Sequence, residues 1–403
     1  MTSVLGTGAR TRRALGVGVT VAALAFAGCG SGESSDSGDS SGASGASGET
    51  SAIVREAIAN TERNMAGTDR ELPREGPRAV RGKTVWAIAC SAQGAGCALP
   101  ARAEVEAGRL LGWNMKFVDG KQDPTVYNAQ IRAAAAAGAD AVILNGIDCA
   151  QTKGAIVAAQ RAGTRVYGAG AHDCDDQFAG EEPLFDGRIR WAPEGEPDDY
   201  GTFQREIVGK AIADWVIART DGKAKVIELR EDDSAVTRHV GLSFRERLAE
   251  CDSCEHWETE YTGMDLVTGK LQGKASAALQ QRPQANVLMS PLDAAIALGV
   301  GAAAEQARLG GRELLLTGNE GNPSNIPLIR RGTQSFAVGR AMTWTGWAAI
   351  DGLNRLFAGE EQVDPGIGIQ PMDEDHLPPG DMYDGNARSA GYQDNYKRIW
   401  GIG

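Results

Sequence analysis

Apolar runs of four to eight residues alternate along most of the chain with segments of helical periodicity. Strand-like runs include 83–90 (KTVWAIAC), 140–145 (DAVILN) and 225–230 (KVIELR). The helical segments between them include 124–138, which ends at a glycine as many helices do. Short apolar strands separated by helices predict parallel sheets covered on both faces and joined by right-handed crossovers.

The number of predicted strands is too large for a single ordinary sheet. About ten strands fall within about 320 residues, which favours two sheets of five or six strands. We therefore expect an α/β fold of two Rossmann-like lobes. Ligands of open parallel sheets bind beyond the carboxyl ends of the strands. The loops at these ends are 90–97, 145–149, 168–176, 230–239, 290–293, 317–323 and 339–345.

The first fifty residues have the pattern of an exported, tethered protein. Arginines at 10, 12 and 13 precede the apolar run 14–27, which is too short for a membrane span. The run leads into residues 26–29 (FAGC), which resemble the lipobox of bacterial lipoproteins. We therefore expect a signal peptide over 1–29 and acylation of Cys29. Residues 30–50, rich in Gly and Ser, predict a flexible tether. Alternatives are a secreted protein, a retained anchor helix or twin-arginine export.

Composition narrows the function and the compartment. The 403-residue chain has a net charge of −12, which argues against broad nucleic-acid binding. Apart from Cys29 it has six cysteines, an even number that suggests disulfides in an exported protein. Sequence alone allows fifteen pairings; we favour neighbours, namely Cys90–Cys97, Cys149–Cys174 and Cys251–Cys254. Free thiols, or a redox or zinc site at Cys251 and Cys254, are the alternatives.

Motifs for catalysis or for cofactors are missing from the sequence. It contains no P-loop and no G-x-S-x-G elbow, and the run at 94–99 (GAGCAL) lacks the third glycine of a dinucleotide fingerprint. The four histidines form no H-x-x-x-H pair. We therefore expect no cofactor, no metal and no enzymatic turnover.

Polar side chains stand at the ends of the predicted strands, with tryptophans nearby in sequence. Paired donors and acceptors beside a flat aromatic face are typical of a site for a sugar or polyol. The ordinary alternative for each residue is a solvated loop side chain or a helix cap. The candidate ligand-binding residues are Ser91, Gln93, Asp148, His172, Asp173, Trp191, Arg238, Asp293, Asn319, Glu320, Arg340 and Trp344.

Four stretches give the chain a family resemblance. They are 101–124 (ARAEVEAGRLLGWNMKFVDGKQDP), 138–148 (GADAVILNGID), 223–244 (KAKVIELREDDSAVTRHVGLSF) and 293–321 (DAAIALGVGAAAEQARLGGRELLLTGNEG). From about residue 83 to about residue 362 the chain resembles the sugar-binding type I periplasmic binding proteins of ABC importers, in particular the ribose-binding-like group.

The resemblance implies a domain organisation. Two lobes joined by three chain crossings would close on a ligand about a hinge. The expected N-terminal lobe is 83–198 plus about 313–338, and the expected C-terminal lobe is 199–312 plus about 339–362. Residues 51–82 would form a helix and a linker. The tail, 363–403, would pack on the lobes with Tyr396 and Trp400 buried.

The resemblance also assigns roles to residues. Arg238 stands where the family places a sugar-contacting arginine, and Asp293 where an Asn or Asp meets sugar hydroxyls. Glu320 replaces the usual Asp of a G-x-D-G turn, and Arg340 falls where Gln is common. Gly170 replaces an Asp, which leaves the contact to His172 or Asp173. Gly96 and Cys97 replace stacking aromatics, so that Trp191 or Trp344 would supply the flat face.

The resulting hypothesis is an extracytoplasmic protein that captures a small polar solute. A sugar or polyol is favoured, delivered to the permease of an ABC importer, with a lipid anchor on the outer face of the membrane. One alternative is a binding protein for an amino-acid-like or signal ligand that feeds a sensor. Another is an exported α/β enzyme. A DNA-binding regulator is excluded, because the signal and tether occupy the place of its helix-turn-helix.

Overall fold

The computed structural model of the protein describes residues 51–402. The predicted signal peptide, Cys29 and the tether lie outside this range. None of the helices within it has the length and apolar character required to cross a membrane.

The first lobe is built on a parallel sheet of five strands in the order β2-β1-β3-β4-β5. Alternate residues of the central strands face opposite sides: Val85 joins one hydrophobic core, and Trp86 and Ile88 join another. Helices α3 and α4 pack together, and α2 packs against α13 from near the end of the chain. The elements are β1 (Thr84–Ala89), α2 (Ala95–Leu110), β2 (Asn114–Asp119), α3 (Pro124–Ala136), β3 (Ala141–Asn145), α4 (Cys149–Arg161), β4 (Arg165–Gly168), β5 (Gly187–Arg188) and α13 (Met342–Ala358).

The second lobe contains a six-stranded sheet in the order β11-β10-β9-β8-β6-β7. Its strands are parallel except for β11, which pairs antiparallel with β10. The strands are β6 (Lys225–Glu231), β7 (Glu255–Tyr261), β8 (Val287–Met289), β9 (Leu315–Glu320), β10 (Phe336–Gly339) and β11 (Gln370–Met372). Two parallel-dominated sheets in separate lobes confirm the predicted fold class.

The remaining helices include those that cover this second sheet and those nearest the two ends of the described residues. A continuous helix over 200–219 contains a π-helical segment, and a kink with non-helical dihedral angles at Leu298 and Gly299 precedes α11. The helices are α1 (Ala52–Met65), α5 (Tyr200–Phe203), α6 (Lys210–Arg219), α7 (Ala235–Leu248), α8 (Gly263–Val267), α9 (Leu271–Gln281), α10 (Asp293–Ala295), α11 (Gly301–Leu309), α12 (Ile326–Arg330) and α14 (Tyr392–Trp400).

The structure corrects the expected division of residues 313–362 between the lobes. We expected 313–338 in the N-terminal lobe, but β9 and β10 lie in the second sheet, where Leu316 pairs with Leu288 of β8. We expected 339–362 in the C-terminal lobe, but α13 packs on α2 of the first lobe. The apolar pattern identifies a strand or a helix without identifying its partner, which caused the error.

Terminal extensions add two crossings to the three expected between the lobes. Helix α1 packs on α6 of the second lobe before the chain reaches β1 of the first, and the tail runs from β11 back to α13. The added segments are tied to the hinge. Arg70 forms an ion pair with Asp364 at 2.7 Å, and the buried Asp69 carboxylate accepts hydrogen bonds from the backbone of Gly368 and the hydroxyl of Ser389.

The C-terminal helix α14 closes the hydrophobic core of the first lobe. The indole of Trp400 stacks on Trp347 of α13 with ring centroids 5.7 Å apart, and its Nε1 donates to Asp351 at 2.8 Å. Tyr396 is fully buried beside them. This agrees with the expectation that the tail packs on a lobe through Tyr396 and Trp400.

Three disulfides pair the cysteines as predicted. Cys90–Cys97 joins the end of β1 to α2, and Cys149–Cys174 joins the start of α4 to the loop after β4. Cys251–Cys254 closes the short turn before β7. In this bonded form Cys251 and Cys254 have no free thiolate with which to bind zinc.

Replacing Trp400 by alanine should destabilise the protein strongly. The side chain is 1 % exposed, and loss of a buried tryptophan costs about 3–5 kcal/mol. The free energy of unfolding would be measured by urea denaturation. Asp394→Ala, an exposed change on the same helix, is the matched control and should leave the midpoint unchanged. Equal midpoints for Trp400→Ala and wild type would contradict a packing role for the tail.

Candidate ligand-binding cleft

A cleft lies between the lobes beyond the carboxyl ends of both sheets. Its empty volume of about 760 Å³ includes space that is open to solvent. Both lobes and the segments joining them contribute to its walls. Its lining includes Cys90, Gly96, Cys97, Gln122, Gly146, Gly170, Trp191, Tyr200, Glu231, Ser234, Glu320, Arg340 and Thr345.

A buried chain of polar groups crosses one wall of the cleft. Arg340 donates to the hydroxyl of Tyr200, and its Nη2 lies 3.4 Å from Oε1 of Glu320. The other Glu320 oxygen accepts from Asn322 at 2.7 Å. Burial raises the pKa of Glu320, and the charge of Arg340 opposes this shift. Arg340 Nε is buried without a partner among the described residues, so it can donate to a ligand.

Glu320 occupies a constrained backbone position at the end of β9. Its φ is 110°, a region that non-glycine residues rarely adopt, and Gly321 follows with φ of 68°. Such strain persists only where the surrounding structure enforces it, and it often marks a functional site. The bend directs the carboxylate towards α2, where a Cβ on Gly96 would lie 1.9 Å from Oε1. The lobes therefore come into contact at Gly96 and Glu320.

Glu231, at the end of β6, provides a second carboxyl group in the cleft. It is 1 % exposed, and its Oε2 lacks a hydrogen-bond partner among the described residues. Burial, assisted by the nearby carboxylate of Asp233, raises its pKa to about 8. At neutral pH a large share of the group is therefore protonated and can donate a hydrogen bond as well as accept one.

Trp191 and Tyr200 form an aromatic wall. Their ring centroids are 4.7 Å apart, and Phe203 lies behind Trp191 at 4.8 Å. The opposite side of the cleft is lined by the Cys90–Cys97 disulfide and by Gly146, whose φ of 64° suits glycine. The cleft thus combines an aromatic face with the carboxyl groups of Glu231 and Glu320 and the guanidinium of Arg340.

Three of the twelve predicted binding residues line the cleft, namely Trp191, Glu320 and Arg340. Asp293 does not line it but supports it from behind. Its carboxylate accepts from the backbone N–H groups of Gly321 and Asn322 and from Gln334, so it fixes the turn that carries Glu320. Burial raises the pKa of Asp293 to about 7, with a further contribution from Glu320.

Two side chains expected in the site pack elsewhere. The guanidinium of Arg238 lies 3.8 Å from the centre of the Phe178 ring and is absent from the cleft lining. Trp344 is fully buried against Tyr392 of the tail. Both follow strand ends as predicted, but each belongs to a helix whose rotation, unknown from sequence, turns the residue away from the cleft.

Of four more predicted residues, three have local structural roles and the fourth, Gln93, has an exposed side chain. Asp173 accepts from the backbone N–H groups of Leu184 and Phe185. Ser91 accepts from the backbone of Gln93, whose own side chain is exposed. Asn319 is buried and donates to the carbonyl of Pro291 at 3.4 Å.

Asp148 and His172 lie beside the cleft, where the lobes touch. Asp148 accepts from His172 Nδ1 at 2.9 Å and from the backbone N–H of Ala235, at the start of α7, at 3.1 Å. Although burial opposes it, the nearby His172 holds the pKa of Asp148 below its usual value. This contact joins the first lobe to the second.

Sequence reasoning missed several lining residues. Glu231 lies in the strand-end loop 230–239 but follows Arg230 and precedes Asp232, so nothing in the local pattern distinguishes it from a solvated loop carboxylate. Tyr200 immediately precedes a predicted helix and carried no distinct signal. Gln122, Ser234 and Thr345 complete the polar lining that was not predicted.

Comparison with known proteins identifies the family. Residues 101–361 match the periplasmic binding protein domain. The chain belongs to the periplasmic binding protein family. This confirms the resemblance inferred from sequence, and membership in a family of solute-binding proteins agrees with the prediction that the chain is not an enzyme. No curated protein sequence matches the chain significantly.

Solved structures share the fold of this binding protein. GanP, a glucose-galactose binding protein from Geobacillus stearothermophilus, has a TM-score of 0.62 and 16 % identity, covering 74 % of this chain and 99 % of its own. An ABC transporter solute-binding protein from Mycobacterium smegmatis with bound glycerol has a TM-score of 0.60 and 17 % identity, and the match covers 75 % of this chain and 99 % of that protein. The 5-methylthioribose transporter solute-binding protein from Thermotoga lettingae has a TM-score of 0.60 and 15 % identity, and the match covers 82 % of this chain and 95 % of that protein.

The raised pKa of Glu231 predicts a pH dependence of stability. The folded protein holds this proton from pH 4.5 to about 8, whereas the unfolded chain releases it near 4.5. The contribution of the protonated Glu231 to the free energy of unfolding is therefore complete below pH 4.5, and it is lost as the pH rises through about 8. Glu231→Gln removes this titration, so its Tm should fall less steeply than that of wild type between about pH 5 and 9. The exposed change Glu255→Gln should follow the wild-type curve, and parallel curves for Glu231→Gln and wild type would refute the assignment.

Proposed function

We propose that this periplasmic binding protein captures a sugar or polyol outside the cytoplasm and delivers it to an ABC importer. The observation that carries the proposal is the interlobe cleft, in which Glu231, Glu320 and Arg340 converge beside Trp191. The three structurally similar proteins named above, a glucose-galactose binding protein, a glycerol-bound solute-binding protein and a 5-methylthioribose transporter protein, support this ligand class.

The donor and acceptor chemistry of the cleft suits hydroxyl groups. A carboxylate accepts from a hydroxyl, a guanidinium donates to one, and the partly protonated Glu231 can do either. Trp191 offers a flat surface for the C–H face of a sugar ring. Displacing the weak 3.4 Å contact between Arg340 and Glu320 by ligand hydroxyls would leave both groups better paired than before.

Capture would proceed by closure of the lobes around the solute. A ligand favours the closed state only through contacts that the open state lacks. Here Glu231 and Glu320 stand at strand ends of the second lobe, with Arg340 just after β10, while Gly96, Gly146 and the Cys90–Cys97 disulfide of the first lobe close over them. The buried ligand would be released when the importer separates the lobes.

A thermal-shift screen of sugars, polyols, amino acids and sugar acids tests the ligand class. A ligand that binds only the folded protein raises its Tm, and we expect the rise with one class of sugars or polyols. Arg340→Ala should weaken that binding about 10- to 100-fold, the effect of losing a charge-assisted hydrogen bond. Arg330→Ala, at an exposed arginine paired with Asp381, and Arg238→Ala should bind as wild type.

Two outcomes of the screen would count against the proposal. A Tm rise with amino acids alone would favour the amino-acid-like alternative, in which Glu320 takes the ammonium group and Arg340 the carboxylate. A well-folded protein that responds to no compound would contradict solute capture.

We also propose that the protein is anchored at the outer face of the membrane by a lipid on Cys29. Support comes from the sequence: a positively charged start, a short apolar run, the lipobox-like segment and the Gly/Ser-rich stretch 30–50. An extracytoplasmic binding protein near its importer benefits from such an anchor, because tethering raises the local concentration of the closed, loaded form.

Cys29→Ala should release the protein from the membrane. Without the thiol no acyl chains can be attached, so the protein should move from the membrane fraction to the soluble fraction on cell fractionation. Ser31→Ala, two residues away, is the control and should remain with the membrane. A Cys29→Ala protein that still sediments with membranes would refute the lipid anchor and favour the retained-helix alternative.

A further inference from the structure

A cluster of histidine and aspartate side chains lies beside the cleft, where the two lobes meet. His172 and Asp176 belong to the loop after β4 in the first lobe, and His239 belongs to α7 in the second. All three are buried, with exposures of 3 %, 8 % and 1 %. One candidate ligand atom from each lies within 4.8 Å of the other two.

The hydrogen bonding of His172 defines which of its nitrogens is available. Nδ1 lies 2.9 Å from Oδ1 of Asp148, and an ionised carboxylate can only accept, so Nδ1 carries the hydrogen. Nε2 then keeps its lone pair. It is buried and has no hydrogen-bond partner among the described residues. An imidazole whose second nitrogen donates to a carboxylate is the usual arrangement of a metal-ligating histidine.

His239 and Asp176 supply two further ligand atoms. His239 Nε2 lies 2.6 Å from Asp176 Oδ2, where a hydrogen now joins them across the lobe boundary. The ring centroids of His172 and His239 are 5.1 Å apart. Two imidazoles bound to one tetrahedral zinc through Zn–N distances of about 2.0–2.1 Å place their centroids at a similar separation, about 5 Å. A metal ion would replace the shared proton after the N–O distance opens to about 3.3 Å.

Neighbouring residues fix the positions of these side chains. The Cys149–Cys174 disulfide ties the start of α4, next to Asp148, to the loop that bears His172 and Asp176. A Cβ on Gly201 would lie 2.6 Å from both Asp176 Oδ2 and His239 Nε2. Glycine at this position therefore keeps side-chain atoms away from these two ligand atoms.

We propose that His172, Asp176 and His239 bind a zinc-class divalent ion that joins the two lobes. Two imidazole nitrogens and one carboxylate oxygen suit Zn²⁺, and the carboxylates of Asp148 and Asp176 balance its charge. For His239 to bind the ion through Nε2, its ring hydrogen moves to Nδ1, which has no hydrogen-bond partner among the described residues, so that His239 ligates as a neutral imidazole. Because its ligands come from both lobes, the ion binds the closed form and stabilises it. The metal site does not depend on the proposed solute. Only the expectation that ion and solute raise each other's affinity rests on the proposed function.

Calorimetric titration with ZnCl₂ tests the site in the absence of solute. The protein, without its predicted signal 1–29, is first treated with a chelator. We expect one tight site in wild type and at least a tenfold loss of affinity in His172→Gln, His239→Gln and Asp176→Asn. The other two histidines pair with Glu228 and Asp373. Their variants His256→Gln and His376→Gln are matched controls and should bind as wild type.

Circular dichroism and the thermal midpoint establish that each variant is folded, and tetrahedral Co²⁺ absorption gives a second reading of the site. The proposal fails if wild type has no tight site, if binding survives in His172→Gln and His239→Gln, or if it depends on His256.

Small-angle scattering tests the joining of the lobes: Zn²⁺ alone should reduce the radius of gyration in wild type and not in His239→Gln. An ion that binds without this compaction would overturn the bridging role. A failed solute screen would leave these outcomes unaffected.

Discussion

Closure of the lobes buries polar groups that have hydrogen-bond partners on the opposite lobe, and the rest of the structure depends on this contact. Asp148 of the first lobe caps the start of α7 in the second through the backbone of Ala235, and His239 of α7 bonds to Asp176 of the first. A buried polar group without its partner costs a few kcal/mol. The closed arrangement is therefore specific, and any ligand between the lobes acts by adding to these bonds.

The cleft and the histidine cluster share this boundary and one of its walls. Tyr200 bonds to Arg340 in the cleft, and its ring lies 5.0 Å from that of His172. Solute capture and the proposed metal binding would thus bias the same equilibrium between open and closed forms. The terminal extensions act on that equilibrium from the hinge side. The Arg70–Asp364 ion pair and the Asp69 network tie added crossings together, which limits how the lobes can move apart.

Much of the fold followed from local pattern, because burial on both faces of a parallel sheet leaves a visible apolar run. The strands at 84–89, 141–145 and 225–231 were predicted within a few residues. Pairing was not, because it depends on contacts between distant segments: β9 and β10 were assigned to the wrong lobe. The candidate site divided in the same way. Glu320 and Arg340 were found at strand ends, whereas Arg238 and Trp344 were misplaced because helix rotation decides where a side chain points.

The sequence by itself determined the class of molecule, namely the α/β alternation and the family, and it favoured neighbouring cysteines among the fifteen possible pairings. These properties are written in short-range periodicity and in the order of motifs. Only the tertiary structure decided which side chains meet. Glu231 became a raised-pKa group because the fold buries it beside Asp233. His172 and His239, which form no spacing motif, came within ligand distance because two lobes close, and closure is a long-range contact that no local pattern encodes.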